Sequence, residues 1–195
     1  MRSPRGLGNP LASTGNMIAP APAAIWTIGH SSRTLGDFLA LLQAHGIEQV
    51  ADVRRYAGSR AHPHFNPEPL AAALAQPGIG YLRFPELGGR RAPQPASKNT
   101  VWRNAAFRGY ADYMETPEFR AGLERLVQVA TERRTALLCS EAVWWRCHRS
   151  LIADALKAEG IQVLHIMDGR KVVEHPYTSA ARIVDGKLRY GAGPV

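Results

Sequence analysis

The sequence predicts an α/β fold: a single three-layer domain of Rossmann-like type, with a mostly parallel sheet of about five strands and helices on both faces. Two observations predict it. Short apolar runs alternate along the chain with stretches of helical periodicity, the order that βαβ units leave in a sequence. The helical stretches also carry their own start and stop residues. No internal repeat is visible, so one domain is expected.

The elements follow in order. "IWTIGH" (25–30) reads as the first strand, stopping at Gly29. "TLGDFLALLQAHG" (34–46) reads as a helix. Thr34 can cap it, Asp37 stands at capping-box spacing, Leu35, Phe38, Leu39 and Leu42 form one stripe, and Gly46 ends it. "EQVADVR" (48–54) is the second strand, followed by the polar loop "RYAGSRAHPHFNPE" (55–68). "PLAAALAQPG" (69–78) is a short helix, and "YLRFPEL" (81–87) begins as a third strand that Pro85 limits.

The loop "GGRRAPQPASKN" (88–99) leads to two helices, around "AAFRGYADYM" (105–114) and "PEFRAGLERLVQVATER" (117–133). Thr116 and Pro117 suit the first positions of the second. "TALLCSE" (135–141) is the fourth strand, "RCHRSLIADALKAEG" (146–160) a helix closed by Gly160, and "QVLHIM" (162–167) the fifth strand. From Asp168 onward the chain reads as irregular or edge-like.

Residues 1–22 are rich in Pro, Gly, Ser and Ala without apolar periodicity, so a disordered tail is expected before a domain over 23–195. No apolar run is long enough to cross a bilayer, and no basic start precedes a signal core, so the expectation is a soluble cytoplasmic protein. The net charge of +8 favours an anionic partner, either a small molecule or nucleic acid, although no block of basic residues stands out. The two cysteines, eight positions apart, read as reduced thiols, ligands or nucleophiles rather than a disulfide framework. No cofactor fingerprint is present, and oligomeric state is not legible.

In open parallel sheets, ligands bind outside the carboxyl ends of the strands. Polar residues gather there: Gly29-His30-Ser31, Asp52-Val53-Arg54, Glu86 to Gly89, Cys139-Ser140-Glu141 and Met167-Asp168-Gly169. Turns alone require a plainer set of residues. His30 and Ser31 can bind or orient an anion at a helix start, or simply cap the helix. Asp52 and Arg54 share a strand face, as an ion pair that sets geometry or as a base and an anion clamp. Arg60, with His62, His64 and Asn66, lies in a loop able to close over a ligand.

The stretch "CSEAVWWRCHR" (139–149) is the densest in chemistry. Cys139 shares a face with Leu137 and reads as a small buried hydrophobe. Glu141, shielded by Trp144 and Trp145, suits general acid–base work. Cys147 lies near a helix start beside Arg146, His148 and Arg149, the environment of a nucleophilic thiolate. His148 reads as facing the sheet, and Arg149 as holding an anion. A metal reading uses Cys139, Cys147 and His148, although the spacing matches no closed zinc motif and adjacent Cys-His ligands are awkward.

"TIGHSSRTLGDFLALL", "VADVR" with "SRAHPHFN", "LGGRR", "FRGYADYM" and "LLCSEAVWWRCHRSLIADAL" together resemble the domain-of-unknown-function 488 family over about Ile25 to Pro176. The resemblance implies an α/β domain with the Gly-His-Ser, Asp-x-Arg and Cys-His-Arg elements close together. It implies no particular reaction. Ala57 stands where a proline is usual, which bears on the shape of the loop after Arg54.

Three functions follow. The first is an enzyme for hydrolysis or group transfer on a phosphate-bearing substrate, nucleotide or nucleic acid. Glu141, Cys147 and His148 are its catalytic candidates, and His30, Ser31, Asp52, Arg54, Arg60 and Arg149 its binding candidates. The second is a non-catalytic nucleic-acid or nucleotide binding module, with Trp102, Trp144 and Trp145 stacking on bases. The third is a metal-binding or redox-sensing protein using Cys139 and Cys147.

Overall fold

The computed structural model describes Pro22 and residues 24–191, so the rest of the expected 1–22 tail lies outside the described residues. Along the chain come β1 (Ile25–Gly29), α1 (Leu35–Ala44), β2 (Gln49–Asp52), α2 (Pro67–Ala75), β3 (Gly80–Arg83), α3 (Ala105–Met114), α4 (Pro117–Glu132) and β4 (Thr135–Cys139). They are followed by α5 (Arg149–Ala158), β5 (Val163–Ile166), β6 (Val172–Glu174), β7 (Arg182–Val184) and β8 (Lys187–Arg189).

The helix boundaries follow the local chemistry. Thr34 accepts a hydrogen bond from the Asp37 N–H at 3.1 Å and donates to the Asp37 carboxylate at 2.7 Å, so the cap forms as the spacing predicts, with Asp37 holding the Thr34 hydroxyl rather than its backbone N–H. Gly46, at φ 61°, turns the chain out of α1. Thr116 caps α4 with Pro117 behind it. Two boundaries differ from the sequence reading. The second strand ends at Asp52, because the Arg54 N–H bonds the Asp52 carboxylate (3.0 Å) instead of a neighbouring strand. The last helix begins at Arg149, because Trp144–Arg146 forms a separate 3-10 turn and Cys147 is extended.

Six strands form one sheet in the order β3-β2-β4-β1-β5-β6. The first five pair in parallel, and β6 adds an antiparallel edge. β7 and β8 make a separate hairpin, turned by Asp185 and Gly186. Both have positive φ, which is the two-residue turn an Asp-Gly pair favours. The edge reading of the segment after Asp168 therefore fits β6, while the hairpin is regular.

Two apolar cores sandwich the sheet. Phe38 and Leu42 of α1 and Leu70 and Leu74 of α2 pack with Ile28, Val50 and Leu138 on one face. Tyr110, Phe119, Leu126, Leu151 and Ile152 of α3, α4 and α5 pack with Ala51, Leu137 and Val163 on the other. The alternation of β4 makes this possible, since Ala136 and Leu138 face one layer, and Leu137 and Cys139 the other. β1 and β4 are neighbours, yet their following helices lie on opposite faces, which opens a crevice between their carboxyl ends. No helix among the described residues is long and apolar enough to cross a membrane.

Candidate functional site

The crevice begins where β1 and β4 run on past their last strand residues. The His30 N–H bonds the Cys139 carbonyl (3.0 Å) and the Ser31 N–H bonds the Ser140 carbonyl (2.8 Å). Ser31 takes a left-handed φ of 46° to do so. Gly29 is required there, because a β-carbon would collide with the backbone of Glu141. The Arg149 guanidinium donates to that same Glu141 carbonyl and pins the crossing.

Two hollows open from the crevice and share Arg54, Tyr56, Ser140 and Glu141. The first, about 280 Å³, has Cys139, Cys147, His148 and Tyr110 in its wall, with Arg55, Arg90 and Arg146 among its lining residues. The second, about 320 Å³, is lined by His30, Ser31, Ser59 and His62. A larger hollow of about 480 Å³ lies elsewhere, between α4, α5 and β8, and the cysteines do not reach it.

On the α1 face, Asp52 and Arg54 form the geometry-setting ion pair. Arg54 bonds Asp52 through Nε at 2.9 Å and Nη2 at 2.6 Å, and both residues are buried. Tyr81 donates its hydroxyl to the same carboxylate at 2.6 Å, and Arg54 Nη2 also reaches the Phe65 carbonyl at 2.9 Å. Nη1 approaches His30 Nε2 at 3.4 Å. His30 stacks on Phe65 at 4.3 Å and donates from Nδ1 to the Ser31 carbonyl at 3.0 Å, which leaves Nε2 as the acceptor. Burial, with the Arg54 charge, holds the His30 pKa down at about 4. A neutral ring therefore orients Arg54 rather than carrying charge to a ligand.

On the α5 face, His148 Nε2 donates to the Val53 carbonyl at 3.2 Å and turns Nδ1 toward the two sulfurs. Nδ1 lies 3.9 Å from Cys139 Sγ and 3.7 Å from Cys147 Sγ. Arg149 Nε donates to Cys147 Sγ at 3.4 Å. Burial raises the Cys147 thiol, but the hydrogen bond from Cys139, the Arg149 charge and the His148 ring outweigh it and hold it well below the ordinary thiol range. Cys139 goes the other way, raised by that shared hydrogen bond and by burial. Of the two sulfurs, Cys147 is the one pushed toward its ionised form.

Four sequence expectations change. Arg149 is 1% exposed and lines neither hollow, so its guanidinium serves Cys147 and the Glu141 backbone rather than an anion. Arg60 is exposed and also lines neither hollow. Its loop is tied by Ser59 N–H to Asn66 (2.7 Å) and His62 N–H to Ser59 (3.1 Å), which turns His62 inward and leaves Arg60 outside. Glu141 is exposed and unshielded, because Trp144 stacks on His165 at 4.3 Å instead. Trp102 stacks on Phe107 at 4.9 Å, so of the three tryptophans only Trp145, 52% exposed, offers an open ring.

Sequence reasoning missed two groups. Arg55, Tyr56 and Arg90 at the first hollow follow strand ends, and the paired arginines "RR" at 54–55 and 90–91 were the available signal. The second group is a buried relay behind Trp144. Thr27 Oγ1 meets His165 Nδ1 at 2.7 Å, His165 Nε2 meets His175 Nδ1 at 3.0 Å, and His175 Nε2 meets Asp154 at 3.0 Å. Asp154 also accepts from Thr178 (2.9 and 2.6 Å) and from the Tyr190 hydroxyl (2.9 Å). These residues are scattered along the chain, and no local pattern links them.

A family model described as "Domain of unknown function DUF488" matches residues 34–156. This chain belongs to the DUF488 family. The match is narrower than the span the motifs suggest, since it starts at the α1 cap and ends within α5. It takes in the Asp52–Arg54 pair and the whole Cys139–Arg149 stretch of this DUF488 member, but not His30 or Ser31. No curated protein and no solved structure matches the chain.

Proposed function

We propose that this DUF488 member is an enzyme that hydrolyses, or transfers a group on, a phosphate-bearing substrate, a nucleotide or a segment of nucleic acid, in the hollow beside Cys147. One observation carries the reading. A sulfur and imidazole cluster forms the wall of a hollow lined by Arg55, Arg90 and Arg146, besides the paired Arg54, against a single carboxylate, Glu141. Guanidinium groups at that density draw in phosphate oxygens and offset the charge on Cys147. Tyr56 is 64% exposed, with Arg55 and Arg90 at 5.5 and 6.0 Å from its ring centre, a flat surface for a base. The Cys147 sulfur bonds to the electrophilic atom of the substrate as the bond to the leaving group breaks, and Glu141, bordering the same hollow, then takes a proton from the water whose oxygen displaces the sulfur.

The test is turnover of a panel of nucleotides and single-stranded oligonucleotides, paired with binding measured against salt. Cys147→Ser and Glu141→Gln are expected to lose turnover and keep binding. Arg90→Ala is expected to weaken binding and flatten its salt dependence. Turnover that survives both of the first two changes overturns these roles. Salt-dependent binding with no turnover of any member makes the chain a binding module instead.

A further inference from the structure

We infer that Cys139, Cys147 and His148 form a three-ligand site for a soft divalent metal ion of the zinc class, with its fourth position open to the first hollow. What such an ion would do there rests on the enzymatic reading above; that it binds rests on the geometry alone.

Among the described residues, this is the group of ligating side chains that converges: Sγ of Cys139, Sγ of Cys147 and a ring nitrogen of His148 lie within 4.8 Å of one another. An ion about 2.3 Å from sulfur and about 2.0 Å from nitrogen sets neighbouring sulfur and nitrogen ligands about 3.5–3.8 Å apart. Of the two sulfur–Nδ1 distances, 3.7 Å falls at that spacing and 3.9 Å lies just beyond it, before any ion draws them in. The imidazole is also oriented as ligating histidines are. Its far nitrogen donates to a backbone carbonyl, Val53, which points Nδ1 at the sulfurs.

The awkwardness of adjacent Cys-His ligands disappears in the backbone. Cys147 is extended (φ −129°, ψ 146°) and His148 is helical (φ −56°, ψ −15°), and this bend brings both side chains to one point. Gly89 keeps the ring accessible on the Nδ1 side, where a β-carbon would stand 2.8 Å from that nitrogen.

Structural zinc sites close with four protein ligands, whereas catalytic ones use three and leave a place for water. Here three ligands line a hollow that Glu141 also borders. A water on the ion gives one proton to the Glu141 carboxylate. The hydroxide oxygen then bonds to the electrophilic atom of the substrate, and the leaving group departs with that proton.

The experiment titrates the full chain, freed of metal, with Co²⁺ and then with competing Zn²⁺, alongside elemental analysis of protein purified without chelator. The expected result is one ion per chain and a cobalt–thiolate absorption band that zinc abolishes. Cys139→Ser and His148→Asn should weaken binding by more than the roughly 100-fold that loss of a hydrogen bond to a ligand can cost. Gly89→Ala, which keeps all three ligand residues but crowds the His148 ring, should weaken it less but measurably. A native chain with two reactive thiols, no zinc and no cobalt–sulfur band overturns the site without needing any variant. If turnover then survives Cys139→Ser but not Cys147→Ser, the enzymatic reading stands with Cys147 attacking directly. One bound ion with no turnover of any substrate sustains the site and sinks the enzymatic reading.

Discussion

The two polar clusters flanking the β1–β4 crevice hold similar residue types and differ in how fully their bonds are used. On the α1 face, Asp52 accepts from the Arg54 N–H, Nε and Nη2 and from Tyr81, so the carboxylate has nothing left to offer. On the α5 face, His148 Nδ1 has only the two sulfurs before it, at 3.7 and 3.9 Å. A saturated network fixes shape, whereas a ring nitrogen that faces only two sulfurs keeps bonding capacity in reserve. The difference lies in hydrogen-bond saturation rather than in residue identity, and each side can be perturbed without touching the other.

The largest effect is expected on the saturated side. Asp52→Ala strands the buried Arg54 charge, at a cost of about 3–5 kcal/mol in urea unfolding. Thiol reactivity under native conditions should stay as it was. A variant with normal stability and altered thiols would show that the two clusters are one unit.

Next comes acid sensitivity. The unfolded chain protonates His30 near 6.5, while the folded chain waits until about 4. The stability tied to its neutral form is therefore complete above pH 6.5 and is lost as pH falls toward 4, up to about 3 kcal/mol. Burial pushes His165 lower still, so its loss runs in the same direction. His30→Gln should flatten the part of the profile between pH 6.5 and 4. An unchanged profile would mean that His30 titrates like a solvent-exposed histidine.

A smaller effect concerns Cys147. Its thiol is held well below the ordinary range while that of Cys139 is raised, so Cys147 is the more reactive sulfur. Alkylation by iodoacetamide, mapped by mass spectrometry on metal-free protein, should mark Cys147 well before Cys139. Equal rates would remove the asymmetry between the sulfurs. The smallest change is expected from Thr34→Ala at the α1 cap. It should cost about 1 kcal/mol in stability and leave thiol reactivity and metal binding alone.

Much of the frame was legible. Thr34, Asp37, Gly46, Thr116, Pro117 and Gly160 mark helix ends through local chemistry, and local chemistry survives folding unchanged. The three-residue strands β6, β7 and β8 were not legible as strands. Their side chains are half-buried or exposed, so no apolar alternation marks them. At the site, the strand-end rule brought out His30, Asp52, Arg54, Glu141, Cys147 and His148, which do gather at one crevice. Arg149 and Arg60 were misjudged for one reason: sequence gives a charge but not its solvation. One guanidinium is buried against a sulfur and the other faces water. The convergence of Cys147 with His148 depends on two unlike backbone conformations in succession, which spacing rules do not encode.

Asp154 sits in α5, two residues inside the boundary of the family match, and everything that satisfies it comes from beyond that boundary: His175, Thr178 and Tyr190. A chain cut at 156 would keep the whole cysteine stretch yet strip Asp154 of every partner and β1 of its β5 neighbour. Kinship in sequence and the unit that folds therefore end at different places, and the shorter of the two is the wrong one to express.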